Sequence, residues 1–237
     1  MAKEKWTRPG HFKEPHILGG KSLREFIFGV EDGLISSVGI VTGVVGAAVS
    51  SFFIVLAGII SMFAGALSMS AGTYLSIKSE NDYYKREIEK ERWEIKKFPE
   101  LEKAELRAFL IKRGYKGKRL EKELNTIWAD KKLVLKYMLE EELGISQDKF
   151  KSPIKGAMVM FLSYLLGSSI PLVPYLLFTT DAALGISLSL TVLSLFSFGA
   201  YRHVYTGKNW AASGLEMMVI GMFVAVVGYY LGTLFAA

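Results

Sequence analysis

Cysteine is absent from the 237 residues, and histidine occurs three times, at His11, His16 and His203. The first absence excludes a disulfide framework, thiolate zinc fingers, iron–sulfur clusters and thiol catalysis. The scarcity of histidine argues against a His-built metal centre. No catalytic Ser/His/Asp set, HExxH motif or phosphate loop is found, which argues against a membrane enzyme. Charge, too, is missing from two long stretches. Phe26 to Ile77 contains no Lys or Arg, and its only acids are Glu31 and Asp32. From Gly156 to Ala237 the only Asp, Glu, Lys or Arg residues are Asp181, Arg202, Lys208 and Glu216.

What remains is segregated. The chain is 51% hydrophobic and 22% charged, which taken alone describes an ordinary soluble domain. Yet residues 78–153 hold 20 of the 29 basic and 16 of the 23 acidic side chains. Apolar runs of this length read as membrane spans. Five are expected, at about 26–48, 52–77, 156–178, 183–204 and 212–236. The sequence therefore predicts an all-α integral membrane protein. Its parts are a polar N-terminal tail (1–24), spans one and two (25–77), a three-helix insert on the cytoplasmic side (78–153), to which the resemblance given below adds metal binding, and spans three to five (154–237). Val49-Ser50-Ser51 is short enough to fold the first two spans into a hairpin. Pro171 and Pro174 are expected to kink the third span or end it early. The first apolar run is too long for a signal peptide, so the tail is expected to lie loosely on the surface.

Basic residues set the orientation. The tail, the insert ends (Lys78, Lys85, Arg86, Lys149, Lys151) and the 202–211 loop all carry Lys or Arg. The turns near 49–51 and 179–182 and the C-terminal end carry none. Five spans put every basic segment on one side, so the N-terminus and insert are expected in the cytoplasm and the C-terminus outside. The net charge of +6 then reflects orientation and contact with anionic lipid, and no nucleic-acid partner is needed.

The insert breaks into helical pieces at Phe98-Pro99 and Gly114, with a third helix expected from about Gly117 to Leu143. Its acids are spaced for shared faces. Glu87, Glu91 and Glu94 stand at i, i+4, i+7, and Glu102 and Glu105 at i, i+3. Met138 and Glu142 are one turn apart. Carboxylates on neighbouring helices suit a divalent cation, and a thioether shifts preference toward softer transition metals. On spacing alone, however, a solvated Glu-rich face paired with Lys85, Lys90, Lys97 and Lys103 is the plainer reading.

Within the spans, Glu31, Asp32 and Glu216 are functional candidates, because a carboxylate at membrane depth costs about 2.5–3.5 kcal/mol on insertion scales. Asp32 lies eight residues beyond Arg24 and Met69 eight residues before Ile77, each about 12 Å along a helix. The hairpin thus brings a carboxylate and a thioether to one level. Against this, a lone Met in a membrane helix is usually packing, Asp32 suits an interhelical hydrogen bond, and Glu216 suits a helix start at the interface. Glycines recur at Gly29/Gly33, Gly39/Gly43 and along the second and fifth spans, spacings that let helices approach closely. Five spans enclose a solute path more readily as a homodimer.

Phe28-Gly29-Val30-Glu31-Asp32-Gly33-Leu34 and Gly65-Ala66-Leu67-Ser68-Met69-Ser70-Ala71-Gly72-Thr73-Tyr74-Leu75-Ser76 resemble the first two spans of the vacuolar iron transporter family. Lys78-Ser79-Glu80-Asn81-Asp82-Tyr83-Tyr84 and Ile170-Pro171-Leu172-Val173-Pro174-Tyr175 extend the resemblance, which runs from about residue 24 through nearly the whole chain. It implies a homodimer that exports cytosolic Fe²⁺, with Mn²⁺, Zn²⁺ or Co²⁺ as further cargo, in exchange for protons and without a prosthetic group. Asp32 and Met69 resemble the family's transport pair, with Glu31 and Glu216 as further pathway candidates. Glu91, Glu94, Glu102, Glu105, Met138 and Glu142 resemble its metal-binding set, with Glu87 one turn earlier. One position departs: many relatives carry Glu where this chain has Thr73. A passive broad divalent-cation channel and a non-transporting metal sensor or scaffold are the competing readings. The charged insert and the want of targeting features suggest a prokaryotic cell membrane rather than a vacuole.

Overall fold

The structure is a computed structural model that describes residues 22–142, 144, 150–203, 207 and 209–236. The expected tail falls largely outside these residues, as do Lys149, Lys208 and the last residue of the fourth expected span. The described residues form eight helices and no strand: α1 (Leu23–Gly46), α2 (Ser51–Lys97), α3 (Pro99–Lys112), α4 (Gly117–Trp128), α5 (Lys131–Glu141), α6 (Pro153–Leu177), α7 (Thr180–Tyr201) and α8 (Trp210–Thr233). Five of them, α1, α2, α6, α7 and α8, are long and apolar enough to cross a membrane.

Helix α1 is the centre of the bundle, packed chiefly against α6 and α8 and less closely against α2. Its buried face is Val30, Leu34, Val38 and Val41, a helical repeat of apolar side chains. Glycine sets the approach to α6. A Cβ at Gly33 would sit 2.5 Å from the Tyr164 carbonyl oxygen, and one at Gly167 would strike the Val30 carbonyl. Hydroxyls tie the helices where water is excluded. Ser37 Oγ donates to the Ser168 carbonyl at 2.9 Å, Thr42 Oγ1 to the Ala225 carbonyl at 2.9 Å, and Ser187 Oγ to the Pro171 carbonyl at 2.7 Å.

The outer faces are greasy. Phe52, Phe53, Ile60, Phe63 and Leu67 on α2 and Val219, Phe223 and Tyr230 on α8 are all exposed. A patch this large requires lipid or another chain against it. The α1–α2 turn is tight and places Ala48 at φ 56°, in the left-handed region that favours glycine.

Helix α2 runs unbroken for 47 residues, about 70 Å at 1.5 Å per residue. Its apolar half ends at Ile77, and the charged half continues into the insert because nothing from Thr73 to Lys97 is Gly or Pro. It stops where Pro99 cannot continue the ladder and instead opens α3. The insert core is Leu106, Leu110, Leu120, Leu124, Ile127, Val134 and Met138, with Ile95 of α2 packed on it. So α2 belongs to both the bundle and the insert.

Two expectations are corrected. The third insert helix, expected unbroken over 117–143, is two helices, so the insert comprises the end of α2 and three short helices, not three pieces in all. Asp130 divides them by capping α5, its side chain accepting from the Lys132 N–H at 2.8 Å. Of the two outcomes expected at Pro171 and Pro174, a kink or an early end of the third span, the early end is not found. Helix α6 passes both and stops at Leu177, with Pro171 and Pro174 buried against the bundle.

Candidate functional site

Two groups of polar side chains stand out, one at the insert end of the membrane helices and one inside the insert. The first surrounds Met69. A cavity of about 440 Å³ is lined by Arg24, Glu25 and Phe28 of α1, by Ser68, Met69, Gly72, Thr73, Ser76, Ile77 and Glu80 of α2, and by Lys151 and Met160. Its lining combines charged residues, among them Glu80 of α2, with two thioethers, Met69 and Met160. Glu25 is buried and pairs with Lys151, Nζ to Oε1 at 3.2 Å. Its second oxygen, Oε2, is buried without a hydrogen-bond partner. Asn81 Nδ2 holds the same Lys151 by donating to its carbonyl at 2.8 Å. Thr73 turns its hydroxyl inward along the helix, donating to the Met69 carbonyl at 2.9 Å.

Of the expected pathway residues, Met69 alone lines this cavity. Glu31 faces a neighbouring one of about 280 Å³ with Arg24, Ile27, Phe28 and Arg202, and its Oε1 lies 3.6 Å from Arg202 Nη1. Asp32 lines neither of these two cavities. It is half-buried one turn from a polar junction in which Ser36 Oγ donates to the Asp32 carbonyl at 2.5 Å and meets Tyr164 Oη at 2.8 Å. Tyr164 in turn sits where a Cβ on Gly65 would be, so α1, α2 and α6 converge there. Glu216 is exposed on α8, near enough to Glu31 for their charges to interact. The hairpin does set Asp32 and Met69 on adjoining helices. However, adjacent residues of α1 point about 100° apart, so Glu31 and Asp32 face different surroundings.

Sequence reasoning missed Glu25, Lys151 and Arg202 as partners. Glu25 was legible only as a boundary residue, and the two cations come from distant parts of the chain.

The second group lies where the charged half of α2, α3 and the end of α5 meet. Glu91 and Glu102 are buried, at 2% and 4% exposure, a rare state for acids. Glu91 Oε1 and Glu102 Oε2 have no hydrogen-bond partner. Burial pushes the Glu91 carboxyl up to about 8, helped by the charges of Glu102, Glu142 and Glu94. Glu102 is also raised, first by burial and then by Glu105, Glu94 and Glu142. Five of the expected acids therefore share one field: Glu91, Glu94, Glu102, Glu105 and Glu142.

Glu87 stands apart, acting on Lys90 instead. The Lys90–Glu94 pair (3.5 Å) is one part of the solvated-face reading that the structure contains, and Lys85 pairs with Asp82. Met138 is fully buried in the insert core beside Leu106 and Leu110, one turn before Glu142. Among the described residues no three His, Cys, Asp or Glu side chains are gathered tightly enough to grip a metal as they stand. The raised Glu91 carboxyl keeps its proton near neutral pH, which relieves part of the repulsion among these acids.

Residues 23–233 match the family model described as the VIT family. The chain is 34% identical over 230 residues to vacuolar iron transporter 1 of Arabidopsis thaliana, covering 96% of this chain and 92% of that protein. It is 33% identical over 218 residues to vacuolar iron transporter 1 of Tulipa gesneriana, covering 92% and 88%. Against the vacuolar iron transporter of Plasmodium falciparum (isolate 3D7) the identity is 31% over 231 residues, covering 92% and 84%.

Proposed function

Because the chain belongs to the VIT family, we propose that it is a multi-pass membrane transporter of Fe²⁺, not an enzyme, and that it moves the ion out of the cytosol in exchange for protons. The observation that carries this reading is α2. One unbroken helix bears both Met69, in the lining of an open cavity, and Glu91, in the buried acidic cluster. They are 22 residues apart, about 33 Å along the rod.

In this reading the insert is cytoplasmic and its Glu91, Glu94, Glu102, Glu105 and Glu142 collect the ion, with the Met138 thioether at their edge. Glu87 supplies charge at the margin. The ion then enters the Met69 cavity past Glu25 and Glu80 and is handed to Asp32, with Glu31 and Glu216 tuning the charge of the path. Carboxylate and thioether replace part of the hydration shell that the ion sheds, a donor set suited to a first-row transition ion and extending to Mn²⁺, Co²⁺ and Zn²⁺. The exposed apolar face of α2 is covered by lipid or by a second copy, and the working unit is a homodimer. The named relatives are vacuolar proteins of plants and Plasmodium, so the expectation of a prokaryotic cell membrane draws no support from them.

The test is flux into proteoliposomes holding a set pH gradient, with Fe²⁺, Mn²⁺, Co²⁺ and Zn²⁺ in turn. The expected result is Fe²⁺ movement that dissipates the gradient and falls at least about tenfold in Asp32→Ala and Met69→Ala, as loss of a direct ligand entails. Fe²⁺ flux indifferent to the gradient would show a passive channel. Metal binding without flux would show a sensor.

A further inference from the structure

The insert carries a second charged feature, of opposite sign to the acidic cluster. Between the charged half of α2 and the start of α5 lies an open cleft of about 390 Å³ lined by Arg92, Ile95, Lys96, Lys131, Lys132 and Leu135. Every polar residue of that lining is a cation. Elsewhere on the same two helices, lysines are paired one turn away: Lys90 with Glu94 at 3.5 Å and Lys136 with Glu140 at 3.9 Å. Among the described residues no carboxylate stands within ion-pair distance of Arg92, Lys96, Lys131 or Lys132.

The placement also runs against local preference. Arg92 and Lys96 are like charges at i, i+4 on one helix, a repulsive spacing. Lys131 and Lys132 are the first two residues of α5, where the helix dipole is positive and acids are preferred. The one acid there, Asp130, caps the helix by accepting from the Lys132 backbone N–H. Four cationic residues thus line one cleft together with apolar Ile95 and Leu135, and all four are exposed, so their summed charge acts on an anion arriving from solvent.

We propose that this cleft binds a phosphate-type oxyanion, a mono- or diphosphate group. The Arg92 guanidinium can engage two oxygens in its planar fork, while the three lysines act as point charges around the remainder. The source is a soluble phosphate and not a lipid headgroup. Arg92 and Lys96 lie 15 and 19 residues beyond Ile77, the end of the apolar half of α2. That is about 22 and 28 Å along the helix, whereas a headgroup layer adds only roughly 5–7 Å to each face of the hydrocarbon core. The site is independent of the transport reading, since it stands on cations that the transport path does not use.

The experiment is isothermal titration of inorganic pyrophosphate into the full-length protein in detergent, stripped of metal so that no bound cation recruits the anion. Saturable binding at one site per chain is expected, weakened roughly tenfold in the Lys131→Gln/Lys132→Gln variant and measurably in Lys96→Gln, as loss of charge-assisted hydrogen bonds entails. Circular dichroism confirms that both variants fold. Wild-type affinity unchanged in both variants, or no saturable binding at all, overturns the site. Mn²⁺ titration of the double variant is expected to match wild type, and a joint loss of Mn²⁺ affinity would show the acidic cluster disturbed and overturn a separate site. Pyrophosphate affinity is expected to be equal in phosphatidylcholine and phosphatidylglycerol nanodiscs. Competition from phosphatidylglycerol would identify the lipid headgroup as the ligand and overturn the soluble source.

Discussion

If Glu91 ligates the incoming ion, metal binding by the insert must displace a proton, and the size of the pH effect follows from the structure. The Glu91 carboxyl is pushed up to about 8 by burial and by its acidic neighbours. With one such group, the ionised fraction is roughly 1% at pH 6 and about half at pH 8, a change of about 50-fold or ~2.3 kcal/mol in apparent binding free energy. Mn²⁺ serves as a redox-stable probe. Its apparent Kd for the full-length protein is expected to tighten by about that factor from pH 6 to pH 8. The raised Glu102 carboxyl makes the dependence steeper, not shallower. Isothermal titration in two buffers of different ionisation enthalpy counts the protons, and the expectation is about one released per ion at pH 7. In Glu91→Gln most of the slope disappears along with much of the affinity. A Kd that moves less than about threefold over this range, or a Gln variant that keeps the full slope, would refute the assignment of the proton to Glu91.

Three further outcomes follow. A carboxyl whose folded-state pKa is raised stabilises the fold below its unfolded value near 4.5 and loses that contribution as pH rises through about 8, so metal-free wild type is expected to melt lower than Glu91→Gln at pH 9, the gap closing by pH 5, in thermal scans. Gly33→Leu forces a side chain into the Tyr164 carbonyl and the α6 backbone, and should abolish monodisperse expression of the bundle, while Gly72→Ala, whose Cβ meets nothing within 4 Å, should leave gel-filtration behaviour unchanged. Leu106→Ala opens a cavity in the insert core and is expected to destabilise that domain by about 2–5 kcal/mol, read by hydrogen exchange of α3 to α5 with the membrane helices unaffected.

The membrane half of this fold is legible because lipid imposes a simple rule: a span must be long, apolar and helical. All five expected starts fall within three residues of the observed helix, the fourth span beginning at Thr180 against an expected 183. Continuity is harder to read. Nothing at Ile77-Lys78 tells a helix to stop, yet the change from apolar to charged there looks like a domain boundary. Asp130 is readable as a cap in principle, but the apolar positions Leu120, Leu124, Ile127 and Trp128 before it and Leu133, Leu135 and Met138 after it mask the break.

In the site, the spacing of Glu91, Glu94, Glu102 and Glu105 showed that they share faces but not that two of them are buried. Burial depends on how the end of α2 packs with α3 and α5, an arrangement set by the insert core that includes Leu106, Leu110 and Met138. The partners of Glu25 and Glu31 are Lys151 and Arg202, contributed by segments 126 and 171 residues away. No local pattern encodes such pairings. Glu216, a candidate because it is a carboxylate within a span, is exposed on α8, because position along a span says nothing about the direction in which a side chain faces.

Mechanically, α2 is a lever. Its charged arm is clamped into the insert by Ile95 and Glu91, and its apolar arm forms one wall of the Met69 cavity. A continuous helix transmits angle, not just position: a tilt of about 5° over the roughly 33 Å between Glu91 and Met69 moves one relative to the other by about 3 Å, comparable to the width of a dehydrated ion and its ligand bond. Between those two residues the only glycine is Gly72, with open space around it, at the lining of the cavity itself. Any bending of the rod is therefore concentrated at the wall of that cavity. If the acidic cluster closes on a cation, as proposed, the motion reaches the cavity wall first, with no need for a separate gate.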